Sequence, residues 1–311
     1  MDISLVFISL SISTLLVFIS NKFFHKKNLL DRINERSSHK VVATRSGGIG
    51  VFISIFIISS FYYVTGNTIY DYSIIVPLAL LVLIGLYDDL YNIDFKLKFI
   101  FQVIAAKIII DTGLLIDNFH GVLGLYEINR VFAQLLTIFI ILAIINALNF
   151  IDGIDGLAIS IFSFFIIFFE FFSLEFNSLT NYSLLTLSSL VPMYYFNLRK
   201  NNKVFLGDSG SHLLGGIVSI YIVYILSQDY IIKPEYDIHK IIFVFSIFSY
   251  AIVDIVRVVF IRLLNKKSPF KADRRHLHHI ILNFTKSHFK TVAVILLLQL
   301  LLLVGFQLLS N

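Results

Sequence analysis

Cysteine is missing from all 311 residues, which excludes disulfides and cysteine-ligated metals and leaves the redox compartment open. Charge is scarce as well: 14 % of residues are charged against 57 % hydrophobic, with a mean hydropathy of +0.85. There is no soluble domain, linker or internal repeat, and the polar residues are gathered between apolar blocks. That distribution identifies an integral membrane protein with a single polytopic domain over residues 1–311. The apolar start at 3–20 has no basic leader and no small-residue cleavage pattern, so it is expected to be a retained first span. A formal charge of +5 and a pI near 9.2 could suggest nucleic acid, yet the positions of the charges argue for topology, and no nucleic-acid partner is expected.

Ten apolar segments can be counted, at about 3–20, 48–65, 73–87, 97–114, 132–149, 157–175, 181–196, 213–228, 240–262 and 291–309. Most approach the roughly 20 residues that a helix needs to cross a bilayer. The expected fold is all-α, with about ten transmembrane helices. Nineteen Lys and Arg residues fall in the odd-numbered connections and three in the even ones. That asymmetry places both termini outside and the active site at the cytoplasmic face of the inner membrane. Lys107, in the middle of the fourth segment, either snorkels or faces the protein interior.

Residues 146–157 read Asn-Ala-Leu-Asn-Phe-Ile-Asp-Gly-Ile-Asp-Gly-Leu. If helical, Asn146, Asn149, Asp152 and Asp155 share one face, an expensive arrangement unless a metal, a polar substrate or an aqueous cavity satisfies it. Asp88 and Asp89 end the third segment. Helix neighbours point about 100° apart, so one carboxylate can face a metal or a reacting phosphate while the other is held by a basic group. Residues 205–211, Phe-Leu-Gly-Asp-Ser-Gly-Ser, lead into the eighth segment. There Ser209 or Ser211 can cap a helix whose free N–H groups attract an anion, and Asp208 beside two glycines suits a magnesium–phosphate group. The Gly-x-x-x-x-Gly-Lys spacing of a P-loop is absent. Residues 274–279, Arg-Arg-His-Leu-His-His, form a basic patch better suited to phosphate and nucleotide than to zinc, with attraction to anionic lipid as the alternative. All these clusters lie at one expected membrane face. Phosphoryl transfer between a nucleotide and a lipid is the reaction class they favour.

The chain resembles the polyprenyl-phosphate N-acetylhexosamine-1-phosphate transferases, of the glycosyltransferase family 4 type. The resemblance rests on Arg36-Ser37-Ser38-His39-Lys40 with Gly47-Gly48, Asp88-Asp89, the 146–157 and 205–211 segments, Asp254 with Arg257, and 268–279, in order along essentially the whole chain. It implies magnesium-dependent transfer, with manganese as a substitute, of a sugar-1-phosphate from a UDP-N-acetylhexosamine to undecaprenyl phosphate, releasing UMP. It further implies that Asp88, Asp89 and Asp152 are catalytic and that Asp208 is the metal ligand. Asp155 and Gly153 would line the uridine pocket, Phe205 would stack on uracil, and Asn149 would orient the polar network. Arg275, His276, His278 and His279 would contact the nucleotide or its phosphates. A homodimer is expected.

The Arg-His-Leu-His-His form of the last motif is similar to the branch that starts O-antigen and other surface polysaccharides, rather than to the phospho-N-acetylmuramoyl-pentapeptide transferases of peptidoglycan synthesis, which carry three consecutive histidines. The 43–48 run, Ala-Thr-Arg-Ser-Gly-Gly, departs from the Thr-Pro-Arg-Gly-Gly-Gly pattern of that superfamily. A membrane transporter, or a lipid-binding protein for a phosphorylated polyprenyl substrate, is the competing class. Transporters, however, place their binding groups near the bilayer midplane.

Overall fold

A computed structural model describes residues 3–31, 42–67, 69–174, 177–227, 230, 232–233, 239–266 and 275–310. The motif residues 36–40 and 268–274 lie outside these. The described chain is helical almost throughout: α1 (Ile3–Lys26), α2 (Gly47–Val64), α3 (Ile75–Tyr91), α4 (Phe95–Asp111), α5 (Arg130–Ile151), α6 (Leu157–Phe172), α7 (Thr180–Leu198), α8 (Gly207–Ser227), α9 (Lys240–Ile247), α10 (Ser249–Leu264), α11 (Leu277–Thr285) and α12 (His288–Ser310). Two-residue strands β1 (Ala43–Thr44) and β2 (Lys203–Val204) pair in parallel.

The expectation of about ten spans is corrected. Among the described residues six helices are long and apolar enough to cross a membrane, or seven if the pair α9 and α10, bent by 78°, is one span. Hydropathy alone counted every apolar run as a crossing. In the structure α4 has 17 residues and α6 has 16, short of the roughly 20 a crossing needs, and α7 contains Pro192 and is rich in Ser and Thr. With the span count changed, the alternation of loops no longer fixes the side on which each terminus lies.

Helix α8 is the axis of the bundle. Nearly all of it is buried, against α2, α3, α5, α6 and α9. Two glycines let its first turn be approached by backbone. A Cβ on Gly85 of α3 would lie 2.5 Å from the Asp208 carbonyl oxygen, and one on Gly48 of α2 would lie 2.1 Å from the Gly210 nitrogen. Apolar residues from Leu5 to Leu303 form one continuous core around this axis. The strand pair is extended by Phe205 N–H donating to the Thr44 carbonyl (2.8 Å), and by Gly47 and Gly48 N–H donating to the carbonyls of Phe205 and Leu206 (3.1 and 2.9 Å). The start of α2 and the start of α8 are thereby stitched together.

Candidate active site

The two adjacent carboxylates at the end of α3 have different fates. Asp89 turns inward, its side chain 1 % exposed, whereas Asp88 and Asp208 keep 13 % and 26 %. Asp89 accepts from the N–H groups of Asp208 (3.0 Å) and Ser209 (3.1 Å), and the Arg45 guanidinium lies 3.6 Å away. The cap of α8 is therefore Asp89 and not Ser209 or Ser211, which lie within the helix. Gly207 makes this docking possible. Its φ is +74°, and a Cβ there would meet the Asp89 carboxylate at 2.6 Å.

Asp88 has different partners. It accepts from the Ile93 N–H (2.9 Å) and from Lys98 Nζ (2.7 Å), and Lys98 also reaches Asp208 at 3.4 Å. Lys98 is placed in the first turn of α4 by Asp94, which caps that helix through the Lys96 N–H (3.3 Å). Burial pulls the Lys98 ammonium down, but the charges of Asp208 and Asp88 outweigh it and raise its pKa. Arg45, bound to Asp31 at 2.8 Å, follows the same pattern: burial lowers it, and the charges of Asp31, Asp89 and Asp208 raise it above the ordinary guanidinium value.

Asp152 ends α5 at the same place. Burial and the negative charges of Asp208, Asp89 and Asp155 push its carboxyl well above the usual range, with Arg45 opposing. Asn149, one turn earlier, donates to Ser211 Oγ (2.9 Å). Behind this cluster a polar chain joins three helices. The Asn146 amide donates to Gln102 Oε1 (2.9 Å), Gln102 Nε2 donates to His212 Nε2 (3.0 Å), and His212 Nδ1–H donates to the Asp208 carbonyl (2.6 Å). Each group's donors and acceptors are used consistently only if His212 carries its proton on Nδ1.

The 152–156 turn connects the cluster to two further groups. On one side Asp155 accepts from Lys203 Nζ (2.5 Å) and His288 Nδ1 (2.7 Å), and Lys203 lies 5.4 Å from the centre of the Phe205 ring. Burial raises the Asp155 carboxyl, but these two bonds overcome it and hold the pKa below the ordinary value. Asn197 fastens the turn, accepting from the Gly156 N–H (2.6 Å) and donating to the Val204 carbonyl (3.0 Å).

On the other side lie the histidines. Asp254 accepts from His276 Nδ1 and from the Leu277 N–H, both at 2.7 Å, and so caps α11, while Arg257 donates to the Arg275 carbonyl (2.7 Å). His278 is buried. Its Nδ1 meets the Tyr250 hydroxyl (3.2 Å), and its Nε2 has no partner among the described residues and is aimed at Gly153, where a Cβ would be 3.0 Å away. Burial, with the neighbouring His279, lowers the His278 pKa to about 3, so the ring is neutral. His279 packs on His278 with ring centres 4.3 Å apart, and it too approaches Gly153.

The residues expected from sequence are thus brought together at one end of the bundle. Arg275 is placed there by its backbone. Lys98, Arg45, Lys203 and His288 were not foreseen: in the sequence they are topogenic or isolated charges, and no spacing ties them to the aspartates. Among the described residues no three His, Asp or Glu side chains are arranged to hold a metal ion. The donor chemistry nonetheless suits a hard cation, since Asp88, Asp152 and Asp208 are oxygen donors gathered in one place, with Lys98 and Arg45 offsetting their charge.

A family model described as Glycosyl transferase family 4 matches residues 71–226. Over 282 residues the chain is 30 % identical to the undecaprenyl-phosphate alpha-N-acetylglucosaminyl 1-phosphate transferase of Salmonella typhi, covering 87 % of this chain and 73 % of the relative. A probable undecaprenyl-phosphate N-acetylglucosaminyl 1-phosphate transferase of Bacillus subtilis (strain 168) is 30 % identical over 280 residues, covering 88 % and 75 %. The Yersinia pestis undecaprenyl-phosphate alpha-N-acetylglucosaminyl 1-phosphate transferase is 29 % identical over 292 residues, covering 91 % and 77 %.

Proposed function

Since the chain belongs to glycosyl transferase family 4, we propose that it transfers N-acetylglucosamine-1-phosphate from a UDP-sugar to undecaprenyl phosphate, the first step of a surface polysaccharide. An oxygen of the acceptor phosphate attacks the sugar-bearing phosphorus. The new phosphorus–oxygen bond replaces the one to the bridging oxygen, and UMP leaves with that oxygen. The peptidoglycan alternative has no support among these relatives, which are N-acetylglucosaminyl transferases, and a transporter does not fit an enzyme family.

The observation that carries the assignment of roles is the asymmetry of the aspartate pair. Asp89 is spent on capping α8 and is a positioning residue. Asp88 and Asp208, more open and bridged by Lys98, are the groups offered to the reacting phosphates. Magnesium would be held by Asp208, with Asp88 and Asp152 nearby, and when bound would neutralise the diphosphate and polarise the transferred phosphorus. Lys98 and Arg45 are cations already fixed where negative charge gathers on the leaving phosphate. In the tautomer whose Nδ1 accepts from Tyr250, His278 carries its proton on Nε2 and donates it as a hydrogen bond to the nucleotide. Phe205, backed by Lys203 and Asp155, offers a face for uracil.

The site is proposed to face the cytoplasm, because Lys22, Lys26, Arg45, Lys98, Arg199 and Lys203 gather at its end of the bundle. The test is UMP release by purified protein given undecaprenyl phosphate, magnesium and UDP-N-acetylglucosamine. The expected result is release that needs all three, and that falls by about 100-fold or more in Asp208→Asn. Release independent of the lipid phosphate would refute the transfer.

A further inference from the structure

Between α6 and α7, on their halves nearest the active site, lies an apolar groove of about 490 Å³. Ile159 and Ser163 of α6 form one wall, and Leu187, Val191, Tyr195 and Leu198 of α7 form the other, with Arg199 at its end. Val191, Tyr195 and Leu198 are exposed on the flank of the bundle. The Arg199 guanidinium lies over the rings of Tyr195 (5.4 Å) and Phe196 (5.2 Å), and among the described residues neither it nor the exposed Lys200 has a carboxylate partner. The cations within the active site differ, each being paired with a carboxylate: Arg45 with Asp31, Lys98 with Asp88, Lys203 with Asp155.

We propose that this groove is a binding site for one anionic phospholipid of the surrounding bilayer, its acyl chain in the trough and its phosphate on Arg199 and Lys200. The chemistry is that of a lipid and not of a soluble anion, because the trough is almost wholly apolar and open to the outside of the bundle, with the cations only at one end. The groove is separate from the reaction. None of the active-site aspartates lines it, and the Asn197 side chain of α7 is bonded instead to the Gly156 N–H and the Val204 carbonyl. It is not mechanically isolated, however. Tyr194 lines the groove, accepts from Ser160 Oγ (3.2 Å), and backs Gly156, where a Cβ would lie 3.3 Å from its ring. A lipid in the groove therefore buttresses the turn that carries Asp152 and Asp155.

The proposal is tested by counting phosphatidylglycerol retained on the purified protein by native mass spectrometry, a readout that needs no turnover and stands whether or not the transfer reaction does. Wild type is expected to retain one phosphatidylglycerol in preference to phosphatidylcholine. Arg199→Gln should weaken that retention by about fivefold, the factor for one basic residue at an anionic surface. Val191→Trp, which fills the trough and leaves the charge, should weaken it too, and Lys107→Gln, at the far end of α4, should not. Equal retention in wild type, Arg199→Gln and Val191→Trp would overturn the site. Displacement of the retained lipid by an equimolar amount of undecaprenyl phosphate would overturn its assignment to a bilayer phospholipid, giving the groove to the acceptor.

Discussion

Single residues here are tuned by burial in opposite directions. His278 resists protonation down to a pH of about 3, because burial and His279 disfavour its charged form. An unfolded histidine takes up its proton near 6.5, so the unfolded state binds more protons below that value and native stability falls as pH drops from about 6.5 toward 3. His278→Gln should flatten this part of the stability–pH curve, measured as Tm in detergent across that range. The same variant keeps an N–H donor, whereas His278→Ala should raise KM for the UDP-sugar by about fivefold, the worth of one neutral hydrogen bond of ~1 kcal/mol. Asp152 is the opposite case. Its carboxyl is held well above the usual range, so ionising it opposes folding. Asp152→Asn should raise Tm at neutral pH while abolishing UMP release, a trade expected where a site gathers like charges for its substrate. A lower Tm in that variant would mean that the repulsion is already relieved in the native protein.

Elements are held in register at the active site by capping rather than by packing alone. Asp89 satisfies two N–H groups of α8 from the end of α3, and replacing it with Ala should cost about 0.5–2 kcal/mol of stability, the range for a lost N-cap, and lower activity by displacing Asp208. Thermal unfolding and UMP release on the same sample separate the two effects. The Asn146, Gln102 and His212 chain ties α5 and α4 to the same turn of α8. A double-mutant cycle on Gln102→Ala and His212→Ala should give a coupling of about 0.5–3 kcal/mol, because either change alone leaves the other buried polar group without its partner. Additive effects would show that the two side chains act independently. The carboxylate motifs were legible in the sequence because aspartates are rare in apolar helices. Which aspartate of the adjacent pair serves as cap was not, because their side chains are neighbours on α3 and only the position of α8 distinguishes them.

At the scale of the whole molecule, charge and absence of cysteine make topology directly measurable. In the cysteine-free background a single cysteine at Lys26, on the active-site end, should be shielded from a membrane-impermeant thiol reagent applied outside the cell, while one at exposed Tyr126, between α4 and α5, should react. The reverse pattern would refute a cytoplasmic active site.

By itself the sequence determined the membrane class, the helical character and the class of reaction, since these follow from composition and from motifs that are local in the chain. It overcounted the spans, because hydropathy sees an apolar run but not whether the run is long enough to cross or is broken, as at the 78° bend between α9 and α10. Only the tertiary structure decided which charges face one another. Lys98 bridging Asp88 and Asp208, Lys203 on Asp155 and His288 on Asp155 are contacts between distant segments, and ion pairing depends on distance in space, which no spacing along the chain records.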